Sequence, residues 1–179
     1  MKRIFLIGYM GAGKSTVGRR LASHLQLSFI DLDSFIEKRF HKTINEIFTE
    51  KGEEAFRKME KEALEEVSEY ENVIISVGGG TPCFFDNIER MNQSGYSIYL
   101  QVSPEVLASR LNIGKHSRPL LRYKSEDEIK TFVIESLAKR EPYYNKATCV
   151  FEASSYNVAN GIENLVLDLS LEIEKNANQ

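Results

Sequence analysis

Residues Gly8-Tyr9-Met10-Gly11-Ala12-Gly13-Lys14-Ser15 match every fixed position of the pattern G-x-x-x-x-G-K-[S/T]. That pattern constrains fold and ligand together. Its glycines let successive backbone N–H groups curl around a polyphosphate, its lysine reaches the β- and γ-phosphates, and its hydroxyl is placed to hold Mg²⁺. The flanks agree with this reading. Arg3-Ile4-Phe5-Leu6-Ile7 before the loop is a short apolar strand, and Val17, Leu21, Ala22 and Leu25 after it keep helical spacing on one face. In such a strand–loop–helix unit the phosphates sit at a helix N-terminus, where exposed amides and the helix dipole favour an anion. The expected nucleotide contacts are Gly11, Ala12, Gly13, Lys14, Ser15 and Thr16.

A chain of 179 residues suits a single domain spanning 1–179 with one sizeable core. Net charge is −3, which does not favour nucleic acid or an anionic membrane as a partner, so a polyanionic ligand must be held by a few placed cations and amides. Cys83 and Cys149 are too few for a disulfide framework or a metal cluster and read as packing residues. The apolar run after Met1 ends at Gly8 and flows into the phosphate loop, so it does not read as a secretory signal. No apolar stretch is long enough to span a bilayer. A cytoplasmic monomer is expected.

Along the chain, strand and helix patterns alternate, which predicts a parallel sheet covered on both faces, an α/β fold of three layers (α-β-α). About five strands are expected, at 3–7, 28–31, 72–77, 96–102 and 148–151. Thr43-Ile44-Asn45-Glu46 and Ser125-Glu126-Asp127-Glu128 are capping boxes that open helices. Gly52 breaks the first of these, and a longer helix then runs to about Tyr70 with Phe56, Met59, Ala63, Leu64 and Val67 on one stripe. Ser103-Pro104 opens a helix to near Asn112. The segment 113–124 reads as a polar, basic loop, and the second capping box starts a helix to about Pro142. A C-terminal helix carries Val158, Ile162, Leu165, Val166, Leu169 and Ile173.

In an open α/β sheet, ligands gather beyond the carboxyl ends of the strands. The first strand delivers the phosphate loop, the second Asp31-Leu32-Asp33, and the third Gly78-Gly79-Gly80. Beside a bound nucleotide, one carboxylate can orient an attacking hydroxyl and accept its proton, and another can anchor the metal. Asp33 has a plainer alternative as the cap of a helix beginning near Ser34. The third strand ends without an acid, so Asp31 is the candidate for the metal, together with Ser15. Three consecutive glycines suggest close approach by a ligand, with a plain turn as the alternative.

The set Gly8 to Thr16, Asp31-Leu32-Asp33, Gly52-Glu53-Glu54-Ala55-Phe56-Arg57, Gly78-Gly79-Gly80-Thr81, Arg118-Pro119-Leu120-Leu121 and Arg140-x-x-Tyr143 resembles the shikimate kinase family, over about residues 4–167. The resemblance implies a phosphate-loop fold of the nucleoside-monophosphate-kinase-like branch, with five parallel strands. It also implies ATP-dependent phosphorylation of the 3-hydroxyl of shikimate, on the chorismate route to aromatic amino acids, with Mg²⁺ as cofactor. Asp33 would bind the shikimate hydroxyls as the base, with Lys14 and Arg118 completing the catalytic set. Arg57 and Arg140 would grip the carboxylate, aided by Gly78, Gly79 and Gly80. Arg118 would close over ATP from a mobile lid at about 113–124, Arg110 would lie near adenine, and the helical region of about 33–61 would receive shikimate. The segment around Ser155 would contact the base, although Glu152 to Tyr156 match the family only loosely.

Physical arguments run beside these roles. Arginine can bind a carboxylate through parallel hydrogen bonds, and Glu53 and Glu60, at i−4 and i+3 from Arg57, are spaced to hold its guanidinium. On spacing alone an ordinary surface ion pair fits Arg57 equally well. By the same resemblance Phe48 and Phe56 would wall the substrate ring, and Phe56 also fits the core stripe. His24, His41 and His116 have no partners at metal-ligand spacing. Two other readings are a kinase for another hydroxy acid, such as gluconate, and a GTP-binding switch. The second is weakened because Asn145-Lys146-Ala147-Thr148 lacks the aspartate that pairs with guanine. A catalytically inactive binding module is opposed by the intact Lys14, Ser15, Asp33 and Arg118.

Overall fold

Two of the predicted strands, β1 (Arg3–Ile7) and β3 (Val73–Ser76), are buried along almost their whole length in the computed structural model, which describes residues 2–115, 121–157 and 160–177. Successive side chains of a strand point to opposite faces, so a strand buried at every position must be covered on both. With β2 (Ser28–Asp31), β4 (Tyr96–Gln101) and β5 (Cys149–Glu152), these strands form one parallel sheet in the order β2-β3-β1-β4-β5. Phe5 sits opposite Ile75 on one side and Ser97 on the other, so β1 is central. β2 and β5 are edges and are only partly buried. Three-layer α/β architecture and five parallel strands therefore stand as the sequence implied.

Helix α1 (Lys14–Leu25) packs on β1, β2 and β3 and against the C-terminal α7 (Gly161–Ala177). Both capping boxes form: Thr43 and Glu46 open α3 (Ile44–Val67), and Ser125 and Glu128 open α6 (Glu126–Tyr144). Ser103 caps α5 (Pro104–Ile113), accepting from the Val106 amide at 3.4 Å. Gly52 breaks α3 as read: its backbone is non-helical, with φ 77° and ψ 173°, and two helical stretches meet there at a kink. Only glycine takes such a conformation readily. Ile162, Leu165, Val166, Leu169 and Ile173 lie on α7 as read, whereas Val158 falls outside the described residues.

Two elements differ from the sequence reading. Helix α2 (Leu32–Phe40) starts earlier than Ser34, and its cap is Asp31, whose carboxylate accepts from the Ser34 amide at 3.2 Å. Asp33 lies inside the first turn, so capping does not account for it. A short helix α4 (Asn87–Ser94), entered through a 3-10 turn at Thr81–Cys83, links β3 to β4. It eluded the sequence because it buries only Asn87, Ile88 and Met91, too few to set up a period.

The strand order reverses beside β1: the chain adds β2 and β3 on one side and β4 and β5 on the other. The crevice beyond the carboxyl end of β1 is therefore the ligand position of the fold. At the opposite end of the sheet, Gly95 has an extended backbone at φ −172°, and a Cβ there would fall 2.5 Å from the Arg3 carbonyl oxygen. Gly95→Ala should therefore destabilise the protein by about 1–3 kcal/mol, because the strand rather than a flexible side chain must yield. The check is a lowered urea midpoint, with substrate KM unchanged since the crevice lies at the far end.

Candidate active site

The phosphate loop joins β1 to α1 and takes its shape from three glycines of positive φ: Gly8 at 151°, Gly11 at 83° and Gly13 at 95°. Gly13 is the N-cap of α1 and makes no side-chain cap to the amides at that end. The Lys14 ammonium donates to the carbonyls of Gly8 at 2.8 Å and Tyr9 at 3.1 Å, which holds it across the loop. Burial pulls its pKa down to about 8, opposed by the charges of Asp33 and Asp31 and reinforced by Arg140.

Ser15, next along α1, donates its hydroxyl to Asp31 Oδ2 at 2.6 Å. Asp31 therefore ties the start of α1 to the start of α2 with its two oxygens. The pair offers only hard oxygen donors, which suits Mg²⁺, an ion that keeps several waters and takes few protein ligands. Among the described residues there is no cluster of three or more His, Cys, Asp and Glu side chains arranged for a metal. One hydroxyl and one carboxylate beside a phosphate loop fit an ion held mainly by the nucleotide.

Asp33 points into the same crevice, a cavity of about 490 Å³ lined also by Met10, Lys14, Ser15, Asp31 and Gly79. Burial raises its carboxyl to about 6, the Asp31 and Glu60 charges add to the rise, and Lys14 opposes it. A carboxylate poised near neutrality is suited to accept a proton.

The triple glycine follows β3, and none of its residues has positive φ, so a left-handed turn is not what requires them. Close approach does. A Cβ on Gly78 would meet Asp33 and Glu60 oxygens at 3.1 Å each, and one on Gly79 would lie 3.4 Å from an Arg140 nitrogen. On Gly80 it would fall 2.7 and 2.8 Å from the terminal nitrogens of Arg57. The glycines thus make room for the acid and arginine side chains packed on them, and the plain turn is also present, the Thr81 amide donating to the Gly78 carbonyl at 3.1 Å.

Arg57 is not a surface ion pair. Its side chain is 13% exposed and its terminal nitrogens reach Glu60 at 2.9 Å and Glu53 at 3.0 Å. Glu60 is itself 1% exposed and accepts the Thr81 hydroxyl at 2.5 Å. Phe48 and Phe56 pack against each other with ring centroids 4.5 Å apart, both beneath the Arg57 guanidinium. Phe56 is buried, so it serves the core and this wall together. Arg140, on α6, stacks over the Tyr9 ring at 5.2 Å. The aromatic neighbour in the last turn of α6 that matters is Tyr144 rather than Tyr143: Tyr144 is fully buried and donates to the Gly79 carbonyl at 2.5 Å, whereas Tyr143 is 37% exposed.

On the nucleotide side, Arg110 of α5 donates to Gly11 O at 3.1 Å, Ala12 O at 3.4 Å and Asn157 Oδ1 at 3.2 Å. A second cavity of about 370 Å³ lies there, lined by Gly13, Thr16, Arg110, Ala153, Tyr156 and Asn157 among others. Ser155 does not line it. Its exposed hydroxyl donates to Glu152 at 3.2 Å. Arg118 lies outside the described residues, as does the middle of the expected lid at 113–124.

The sequence reading missed the placement of Phe84 at Arg57, Thr81 at Glu60, Tyr9 at Arg140, and Tyr144 at Gly79. Only Tyr144 carried a signal, as a tyrosine one helical turn beyond Arg140 (i, i+4).

Comparison with known proteins agrees with this geometry. The family model for shikimate kinase matches residues 10–170. A shikimate kinase of Parabacteroides distasonis is 58% identical over 153 residues, 86% of this chain and 88% of the relative. One from Phocaeicola vulgatus is 50% identical over 98% of this chain and 100% of its own. The crystal structure of shikimate kinase from Bacteroides thetaiotaomicron superposes with a TM-score of 0.92 at 50% identity, covering 97% of this chain and 98% of that one. Shikimate kinase from Acinetobacter baumannii, in complex with shikimate, does so with 0.86 at 32% identity, covering 98% and 94%. The chain belongs to the shikimate kinase family.

Proposed function

We propose that this chain transfers the γ-phosphoryl group of ATP to the 3-hydroxyl of shikimate, giving shikimate 3-phosphate and ADP on the route to chorismate and the aromatic amino acids. The observation that carries the reading is the convergence of Lys14, Ser15, Asp33, Gly78 and Gly79 on one cavity, with the guanidinium groups of Arg57 and Arg140 lying beside Gly80 and Gly79. Names and structures of close relatives support the same acceptor.

The chemistry follows from the placement. Shikimate's carboxylate is taken by Arg57 and Arg140, which directs its hydroxyls toward Asp33. Asp33 orients the 3-hydroxyl and takes its proton as the oxygen bonds to the γ-phosphorus and the bond to the β,γ-bridging oxygen breaks. Lys14 and the loop amides bear the charge on the transferring group, and positioning with electrostatics supplies most of such catalysis. Mg²⁺, when bound with the nucleotide, neutralises charge on the β- and γ-phosphates, and Ser15 with Asp31 would hold it. Arg118 would add a further cation from the lid. A cytoplasmic monomer completes the proposal; no helix among the described residues is long and apolar enough to cross a membrane.

The reading is tested by coupled ADP detection with shikimate, gluconate and no acceptor. Turnover with shikimate alone supports it, and preference for gluconate or acceptor-independent hydrolysis overturns it. The log of kcat/KM, which reports the free enzyme, should rise to about pH 6 as Asp33 ionises and fall above about pH 8 as Lys14 loses its proton. Asp33→Asn should cut kcat by about 10²-fold or more while leaving ATP affinity near normal in a fluorescent-nucleotide titration. The same change should stabilise the fold. A carboxyl raised in the folded state resists ionising there, so its charge lowers stability as pH rises from about 4 through 6. Removing it should add about 1–2 kcal/mol at pH 7.5, read as a higher thermal midpoint.

A further inference from the structure

We propose that Phe84 is a positioning residue for the acceptor site: its ring carries the Arg57 guanidinium in the orientation that receives the substrate carboxylate. This rests on the reading of Arg57 as a carboxylate anchor and goes further, since neither the motifs nor the triple glycine involve Phe84. The Arg57 guanidinium lies 4.1 Å from the Phe84 ring centroid, against 5.2 Å for Phe56 and 5.9 Å for Phe48.

The in-plane hydrogen bonds of that guanidinium are directed by Glu53, through Nε at 3.3 Å and a terminal nitrogen at 3.0 Å, and by Glu60 at 2.9 Å. Hydrogen bonds in the plane leave the two flat faces to be held by something else. An aromatic face attracts a cation most strongly when water is excluded, as it largely is around this side chain. The ring also adds no net charge. Glu53 and Glu60 already place two carboxylates beside one guanidinium, and a further acid there would repel the arriving substrate carboxylate.

The backbone is shaped to deliver this ring. Phe84 is extended, at φ −118° and ψ 146°, directly after the 3-10 turn, while Phe85 has φ 52°, a conformation that bulky L-residues avoid. Phe85 is 52% exposed, so burial of its own side chain does not explain the strain. The turn is instead pinned from below by buried Asn87, whose side chain donates to the Thr81 carbonyl at 2.9 Å and whose amide donates to the Phe84 carbonyl at 3.3 Å. Lys61 covers the outward Phe85 ring at 5.3 Å. The result turns Phe84 toward Arg57 and Phe85 toward solvent.

The test compares wild type, Phe84→Leu, Phe84→Tyr and Arg57→Ala on shikimate and on its carboxamide, which lacks the anionic group. Phe84→Leu should raise the shikimate KM about three- to tenfold with kcat and the ATP KM within about twofold, and Phe84→Tyr should restore it. Binding of the carboxamide, measured by competition, should not weaken further in Phe84→Leu. If Arg57→Ala raises the shikimate KM and Phe84→Leu does not, the positioning role is overturned while the anchor stands. An unchanged KM in Arg57→Ala overturns the anchor itself, and the positioning role with it. A fall in kcat, a rise in the ATP KM and a lowered thermal midpoint together in Phe84→Leu would also overturn it, since that pattern marks general loss of structure.

Discussion

The acceptor side of this site is organised around one buried charge. Glu60, 1% exposed on α3, accepts from Arg57 and from Thr81, so it joins the helix, the guanidinium and the turn after the triple glycine. An ionised carboxylate removed from water is tolerated only when paired and hydrogen-bonded, and truncating one partner leaves the other uncompensated. That constraint explains why Arg57 is held inward rather than extended to solvent, and why Gly78 has no side chain, since a Cβ there would meet Glu60 at 3.1 Å. The same charge helps raise the Asp33 carboxyl. Packing and the crowding at Gly78 thus share an origin, while the rise at Asp33 comes first from burial and then from Asp31, with Glu60 adding to it.

The nucleotide side is organised by Asp31 in a comparable way. One oxygen caps α2 and the other receives the Ser15 hydroxyl, so the residue that ends β2 also sets the start of two helices. Asp33, two positions on, is thereby fixed in the first turn of α2, facing the loop lysine. The two acids differ in setting: Asp31 has its oxygens engaged by neighbours, whereas Asp33 is desolvated among like charges.

Much of the fold was readable beforehand because its signals are local. A loop with fixed glycines, two capping boxes and apolar strands each report on neighbours within a few residues. The third link, α4 with its 3-10 turn, was not readable because its few buried residues make no period. Among site residues, Lys14, Ser15, Asp31, Asp33 and Arg57 stood out as charged or hydroxylic groups at strand ends or beside carboxylates, and Arg140 was named by the family resemblance alone. Phe84, Tyr9 and Tyr144 did not, because a buried aromatic reads as core until its cationic or carbonyl partner is known. Ser155 was chosen by position in the chain; the cavity beside Arg110 is lined by Ala153, Tyr156 and Asn157 and not by Ser155.

The sequence by itself determined the chemistry at the carboxyl ends of the strands: the phosphate loop, the acid pair, the triple glycine and the family to which these motifs point. Those features depend on residue type and short spacing, which a linear chain displays in full. Only the tertiary structure decided the strand order, which acid caps α2, and how closely side chains crowd Gly78 and Gly80 after β3. It also decided which aromatic rings surround the arginines. These outcomes depend on contacts between segments far apart in the chain, where the space left by one side chain fixes what another must be.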